Sequence, residues 1–264
     1  MPNDKIIQNG QTNINGEKVK ETPEEYLDRL KPKHDEPLPG WYGTNDKQMT
    51  ELQELGTYDS NKYIYNLPEP PQLIPCETPA TFNTLDASKE ILRQLTYRKL
   101  KIKDGIFAEY GLDVGKSYIP FCEKFPDKTI LGFDGFKGLP NGEWPGNIVH
   151  DTEFDHKGEI KFTPPNNANI IPGWFEKTIP TYDYKNDKVS CVHIDCDTYS
   201  STVTILNSLK GKFVSGSIVI FDDYFNTAAW RYGEHKAWIA FVEAEKLNYK
   251  HLYVAGMATS IIIK

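Results

Sequence analysis

Four short stretches of this sequence combine glycines, carboxylates and hydroxyls in patterns that could do chemistry. The first is Glu109-Tyr110-Gly111-Leu112-Asp113-Val114-Gly115-Lys116-Ser117, of the form E-x-G-x-x-x-G-x-S. Gly111 allows a sharp turn where a side chain would block a ligand. Gly115 lets a following helix start close to that ligand. The free N–H groups of the helix start, its dipole and Ser117 suit a carboxylate. Glu109 is expected at a strand tip as an acceptor. The pattern is neither G-x-G-x-x-G nor G-x-x-x-x-G-K-[ST], so a nicotinamide fingerprint and a phosphate loop are both absent. The second stretch, Phe133-Asp134-Gly135-Phe136, places a carboxylate where ribose hydroxyls are held in open α/β sheets. Asp134 could accept from both hydroxyls of a ribose; a turn or cap aspartate is the other reading.

The third and fourth stretches are acidic. Ile194-Asp195-Cys196-Asp197-Thr198-Tyr199 and Phe221-Asp222-Asp223-Tyr224 each follow an apolar run. Like charges this close repel unless a metal or a proton relieves them. Neighbouring parallel strands would bring Asp195, Asp222 and Asp223 together. An oxygen-rich, sulfur-free donor set favours Mg2+, Ca2+ or Mn2+. Asp197 reads instead as the N-cap of a helix starting at Tyr199.

The elements that position these residues are legible as apolar runs alternating with helical spacing. Leu85 to Leu100 has helical spacing of Leu85, Ile91, Leu92 and Leu95. Strands are expected over 105–111, 129–133, 168–171, 189–194 and 217–221, and helices over 117–125, 199–210 and 234–247. His251–Ala255 and Ser260–Ile263 read as a closing hairpin. The alternation predicts an α/β fold with a doubly wound, mostly parallel sheet, whose ligands bind at the carboxyl ends of the strands. The extension 1–83 is set apart by its prolines, among them Pro68, Pro70, Pro71 and Pro75. Only short helices are expected there, around Pro23–Leu30 and Asp46–Leu55. The domain proper is expected over 84–264.

Composition narrows the class. The chain has 264 residues and a net charge of -7, which does not favour a nucleic-acid partner. No apolar run approaches the roughly 18 residues of a membrane helix, and no apolar signal core opens the sequence. Cys76, Cys122, Cys191 and Cys196 form no C-x-x-C pair and read as buried free thiols, so a cytoplasmic location is expected.

Five motifs in order resemble the macrocin-O-methyltransferase-like (TylF/MycF-type) family of class I S-adenosylmethionine-dependent methyltransferases. They are Glu109–Ser117, Phe133–Pro140, Ile171–Pro180, His193–Thr202 and Gly216–Tyr224. The last three are similar to that family's G-x-x-x-x-T-L-P, D-x-D-x-Y-x-S-T and G-G-x-x-x-x-D-D-Y segments. The resemblance spans about 85–255. It implies a seven-stranded sheet, S-adenosylmethionine as donor and Mg2+-assisted O-methylation. Carried across by position, Glu109, Gly111, Gly115 and Ser117 would line the methionine end of the donor. Asp134 would hold the ribose, and Gly173 and Trp174 would lie near the adenine. Asp195, Asp222 and Asp223 would bind the metal, and Asp195 would double as base, with His150, His156, His193 and His235 as alternatives. The chain departs from the pattern at Gly135, Lys137 and Ser217.

The acceptor implied is a small molecule or glycan, with a sugar or a glycosylated natural product leading. Trp41, Tyr42, Trp144 and Trp230 are candidates to stack on it. A homodimer is the assembly to test. Two other readings stand beside this one: a metal-independent methyltransferase, and a non-catalytic binding module on the same fold.

Overall fold

A computed structural model describes residues 7–12, 18–21, 63–74, 82–140, 154–185, 187–226 and 230–264. The chain divides into two compact units, Met1–Gly40 and Trp41–Lys264. In the first, β1 (Ile7–Thr12) pairs antiparallel with β2 (Lys18–Glu21), joining Ile7 to Glu21 and Thr12 to Lys18. A strand pair therefore stands where only helices were expected. The helices expected at 23–30 and 46–55 lie outside the described residues, as does Cys76.

The second unit is an α/β sandwich around one sheet. Its strands are β3 (Gln72–Leu73), β4 (Ile106–Tyr110), β5 (Ile130–Asp134), β6 (Ala168–Pro172), β7 (Val189–Ile194), β8 (Ile218–Phe221), β9 (Tyr249–Ala255) and β10 (Ala258–Ile263). The spatial order is β3-β9-β10-β8-β7-β4-β5-β6. Strands β6, β5, β4, β7 and β8 run parallel, and β10 runs antiparallel between β8 and β9. The seven expected strands are thus β4 to β10. The two-residue β3, which comes from the expected extension, adds an eighth by pairing parallel with β9.

Helices α1 (Phe82–Tyr97), α2 (Tyr118–Lys124), α3 (Phe175–Thr178), α4 (Tyr199–Ser208) and α5 (Glu234–Glu245) cover the sheet. The central strands β4, β7 and β8 are buried at every position. That is why they read as continuous apolar runs rather than alternating ones. Two apolar clusters form the core. One includes Val192, Phe221, Trp230 and Trp238; the other includes Leu92, Phe107, Phe121 and Ile220.

The apolar stripe expected on α1 is rotated. Ile91 is half exposed, while Ser88, Lys89, Leu92, Arg93, Thr96 and Tyr97 form the buried face. Two cations on a buried face need anionic partners, and that need leads to the site.

Candidate active site

The chain order β4-β5-β6 runs to one side of β4 and β7-β8 to the other, so the sheet reverses direction between β4 and β7. At such a reversal open α/β sheets bind ligands beyond the carboxyl ends of the strands. The ladder continues one residue past the strands. Gly111 N–H donates to Phe133 O at 2.9 Å, Asp195 N–H to Tyr110 O at 2.9 Å, and Asp222 N–H to Ile194 O at 3.0 Å. The tips of β4, β7 and β8 therefore lie in one row.

On the β4–β6 side the expected donor-binding residues meet. Glu109 is not a surface tip but lies wholly buried inside β4. Ser117 Oγ donates to Glu109 Oε1 at 2.6 Å, and Glu109 Oε2 lies 3.3 Å from His193 Nδ1. Ser117 makes no side-chain cap bond to α2. Asp134 ties the two loops together. Its Oδ2 accepts from Leu112 N–H at 2.6 Å and Asp113 N–H at 2.9 Å, and its Oδ1 accepts from Phe136 N–H at 2.6 Å. A carboxylate has about four acceptor positions, so one remains for a ligand hydroxyl.

Gly173 N–H donates to Asp134 O at 2.8 Å, and the Trp174 ring lies 3.7 Å from where a side chain on Gly135 would begin. Gly111 is required by the fold as much as by any ligand. Its φ is +92°, and a Cβ there would stand 1.7 Å from the Asp195 carbonyl oxygen. A Cβ on Gly115, at φ +80°, would stand 2.8 Å from the Phe162 ring. That close neighbour is a side chain of the chain itself.

The acidic half lies at the ends of β7 and β8. Two groups bring one ligand atom each within 4.8 Å of the others: His193, Asp195 and Asp222, and Asp195, Asp197 and Asp223. The three metal-binding aspartates expected from sequence are thus gathered, but not around one point. Asp222 is buried and already ion-paired. Lys89 Nζ contacts its Oδ2, Arg93 Nη1 is 3.6 Å from its Oδ1, and His193 Nε2 is 3.5 Å from the same oxygen. Burial raises its carboxyl, but Lys89, His193 and Arg93 outweigh that and hold it well below the usual carboxylate range. Asp195, Asp197 and Glu234 go the other way, raised by desolvation and then by the neighbouring carboxylates. Glu234 is fully buried at the start of α5, and its Oε2 accepts from Asp223 N–H at 3.2 Å.

Several expectations change here. Asp197 is not the N-cap of α4. Thr198 is, and Asp197 sits in a left-handed conformation at φ 61° that turns the chain out of β7. Aspartate tolerates that conformation better than most residues. Trp230 is buried against Phe225 and His235 in the core and presents no face to an acceptor. Trp41, Tyr42, Trp144 and His150 lie outside the described residues.

Three of the four candidate histidines, His156, His193 and His235, lie among the described residues. His156 pairs with Asp113 at 2.6 Å. Burial holds His235 down at about 4. Burial also opposes charge on His193, but Glu109 and Asp222 overcome it and push the imidazole up to about 10. Sequence reasoning missed Lys89, Arg93 and Glu234. The visible signal was two cations at i and i+4 beside Leu92, flanked by small polar residues Ser88 and Thr96.

Residues 165–258 match the macrocin-O-methyltransferase (TylF) family. The chain is 29% identical over 113 residues to demethyldecarbamoylnovobiocin O-methyltransferase of Streptomyces niveus, covering 37% of this chain and 42% of that protein. It is 33% identical over 57 residues to 8-demethyl-8-(2,3-dimethoxy-alpha-L-rhamnosyl)-tetracenomycin-C 4'-O-methyltransferase of Streptomyces olivaceus, covering 22% of this chain and 21% of that protein. The matched segments therefore span less than half the length of these relatives. A calicheamicin methyltransferase structure superposes with a TM-score of 0.51 at 18% identity, over 84% of this chain and 94% of the other. That likeness is one of fold, and the fold is the class I methyltransferase sheet described above. Residues 165–258 thus resemble the macrocin-O-methyltransferase (TylF) family, and the chain has a class I methyltransferase fold.

Proposed function

We propose that this protein methylates a hydroxyl group of a small acceptor, a sugar or a glycosylated natural product, using S-adenosylmethionine and a divalent cation such as Mg2+. The observation that carries the reading is the placement of two unlike sets of residues at the same edge of the sheet. Glycine-containing turns follow β4 and β6, a row of carboxylates follows β7 and β8, and His193 lies between Glu109 and Asp222. The sugar acceptor follows the rhamnosyl substrate in one relative's name.

In this reading Glu109, Gly111, Gly115 and Ser117 shape the methionine end of the donor site. Asp134 holds the two loops in register and offers its remaining acceptor position to a ribose hydroxyl. Gly173 and Trp174 form the wall beside it, where a flat ring would pack. The donor supplies an electrophilic methyl group, and the cation supplies Lewis acidity toward the acceptor hydroxyl. Asp195 is partly exposed, and its carboxyl is raised by desolvation and then by Asp222. In this reading it serves as the base. Most of the rate gain then comes from holding the reacting groups in line in a site with fixed charges.

One observation favours a metal-independent variant of this reading. Lys89 and Arg93 already neutralise Asp222 without a cation. Turnover that survives full chelation selects that variant. The test of the central reading is calorimetric titration of S-adenosylmethionine into the protein, first with Mg2+ and then with chelator. Binding in both conditions is expected, and no binding in either removes the reading.

A further inference from the structure

Asp134 is gripped by two loops. After β4, the N–H groups of Leu112 and Asp113 donate to its Oδ2; after β5, the N–H of Phe136 donates to its Oδ1. How these loops stand to one another therefore sets where the remaining acceptor position of the carboxylate points.

His156 touches both loops. Its Nε2 donates to Asp113 Oδ1 at 2.6 Å, and its backbone N–H donates to Phe136 O at 3.1 Å. The residues around it are laced to the second loop. Gly158 N–H donates to the same Phe136 oxygen at 2.7 Å, and Gly138 N–H donates to Phe154 O at 3.1 Å. Further along, the Phe162 ring meets the Tyr118 ring edge-on at 6.1 Å and occupies the space that a Gly115 side chain would need. Residues 154–162 thus form a strap, docked at one end on 136–138 and at the other on the glycine turn and α2. The His156–Asp113 pair is partly exposed, and such pairs add little to folding stability. Its place, between the two loops that hold Asp134, gives it another use.

We propose that His156 is a positioning residue for donor binding: it staples the loop after β4 to the loop after β5 and so aims Asp134 at the donor's ribose. This rests on the donor reading above, in which Asp134 accepts from a ribose hydroxyl. A hydrogen bond weakens steeply as donor and acceptor move out of line. With the staple cut, the strap keeps its backbone bonds to Phe136, but the Asp113 loop is no longer tied to it. Ordering that loop again on binding is then charged against donor affinity. Gly115 serves the same arrangement, because its missing side chain leaves room for the Phe162 ring.

The experiment is calorimetric titration of S-adenosylmethionine into the full chain, well below its melting temperature. It compares the wild type with His156→Leu, His156→Gln, Asp113→Gly and Glu159→Gln. Leucine removes the bond to Asp113, and glutamine returns an N–H near the place of Nε2. Glycine removes the carboxylate and tolerates the φ of 45° at Asp113. Glu159→Gln breaks an exposed ion pair with Lys161 on the strap, away from Asp134, and is the control. His156→Leu and Asp113→Gly are expected to bind the donor at least about 5-fold more weakly. His156→Gln and Glu159→Gln should stay within about 2-fold of the wild type. His156→Leu should melt within about 4 °C of the wild type; if it does not fold, Asp113→Gly carries the test. A loss below about 5-fold in the leucine and glycine variants overturns the proposal and leaves the donor reading standing. An equal loss in His156→Gln or in Glu159→Gln overturns it as well, because the bond to Asp113 would then not be what matters. A wild type that binds no donor overturns both the proposal and the donor reading.

Discussion

At the residue scale the most consequential contact is Lys89 with Asp222, joined across 133 positions of sequence. Both side chains are about nine-tenths buried. Removing one member of such a pair leaves an uncompensated charge in a poorly solvated place. Lys89→Met is therefore expected to cost about 3 kcal/mol in urea unfolding, the low end for a broken buried pair, because Arg93 and His193 still face Asp222. A loss below about 1 kcal/mol, the scale of an exposed pair, would mean that those two suffice. Gly111 makes a second test. A side chain there meets the Asp195 carbonyl and forces a non-glycine residue to φ +92°. Gly111→Ala should destabilise by about 2 kcal/mol or more from backbone strain and displaced strand ends. Unchanged stability with lost donor binding would show instead that the glycine serves only the ligand.

At the scale of elements, the β9–β10 hairpin and α5 enclose an aromatic cluster with two histidines inside it. His251 in β9 bonds Thr259 in β10 through Nδ1 at 2.9 Å, and its ring meets Tyr224, Phe225 and Tyr249. Burial, and then His235, lower its imidazole to about 3. A histidine whose folded value lies below its unfolded one binds fewer protons when folded. Its stabilising contribution is complete above about pH 6.5 and is lost as pH falls toward about 3. Between pH 7.5 and pH 5 that contribution should fall by about 2 kcal/mol, at about 1.4 kcal/mol per pH unit below 6.5. His251→Phe keeps the aromatic packing and lacks the titrating group. Unfolding free energies of the two proteins at both pH values should therefore converge on acidification. Parallel pH profiles would show that His251 titrates alike in the folded and unfolded chains.

At the scale of the whole molecule, the sheet reverses between β4 and β7, so a ligand bound at that point would touch loops from both halves of the sheet. Such a ligand stabilises the folded chain by mass action. S-adenosylmethionine at 100 times its dissociation constant should add about 2.7 kcal/mol. For a chain of this size that is about 5–10 °C in melting temperature. Scanning calorimetry with and without the donor checks this, and an unmoved transition would mean that the folded chain does not bind the donor. Among the described residues no helix is long and apolar enough to cross a membrane.

The apolar runs determined the sheet by themselves. A run bounded by glycine or aspartate, such as Val189–Ile194 or Ile218–Phe221, has few ways to hide its side chains other than as a buried parallel strand. The order of the motifs then set which loops share one edge, and with that came the positions of Gly111, Asp134, Asp195 and Asp222. Periodicity could not decide how α1 is rotated. Leu85, Ile91, Leu92 and Leu95 suggest one face, yet Ile91 is half exposed, because the buried anion Asp222 draws Lys89 and Arg93 inward. Nor could spacing show that four neighbouring aspartates have unlike environments. Charge compensation is a through-space property. It depended on a helix far away in sequence supplying two cations to Asp222, and on another supplying only the carboxylate of Glu234 to its neighbours.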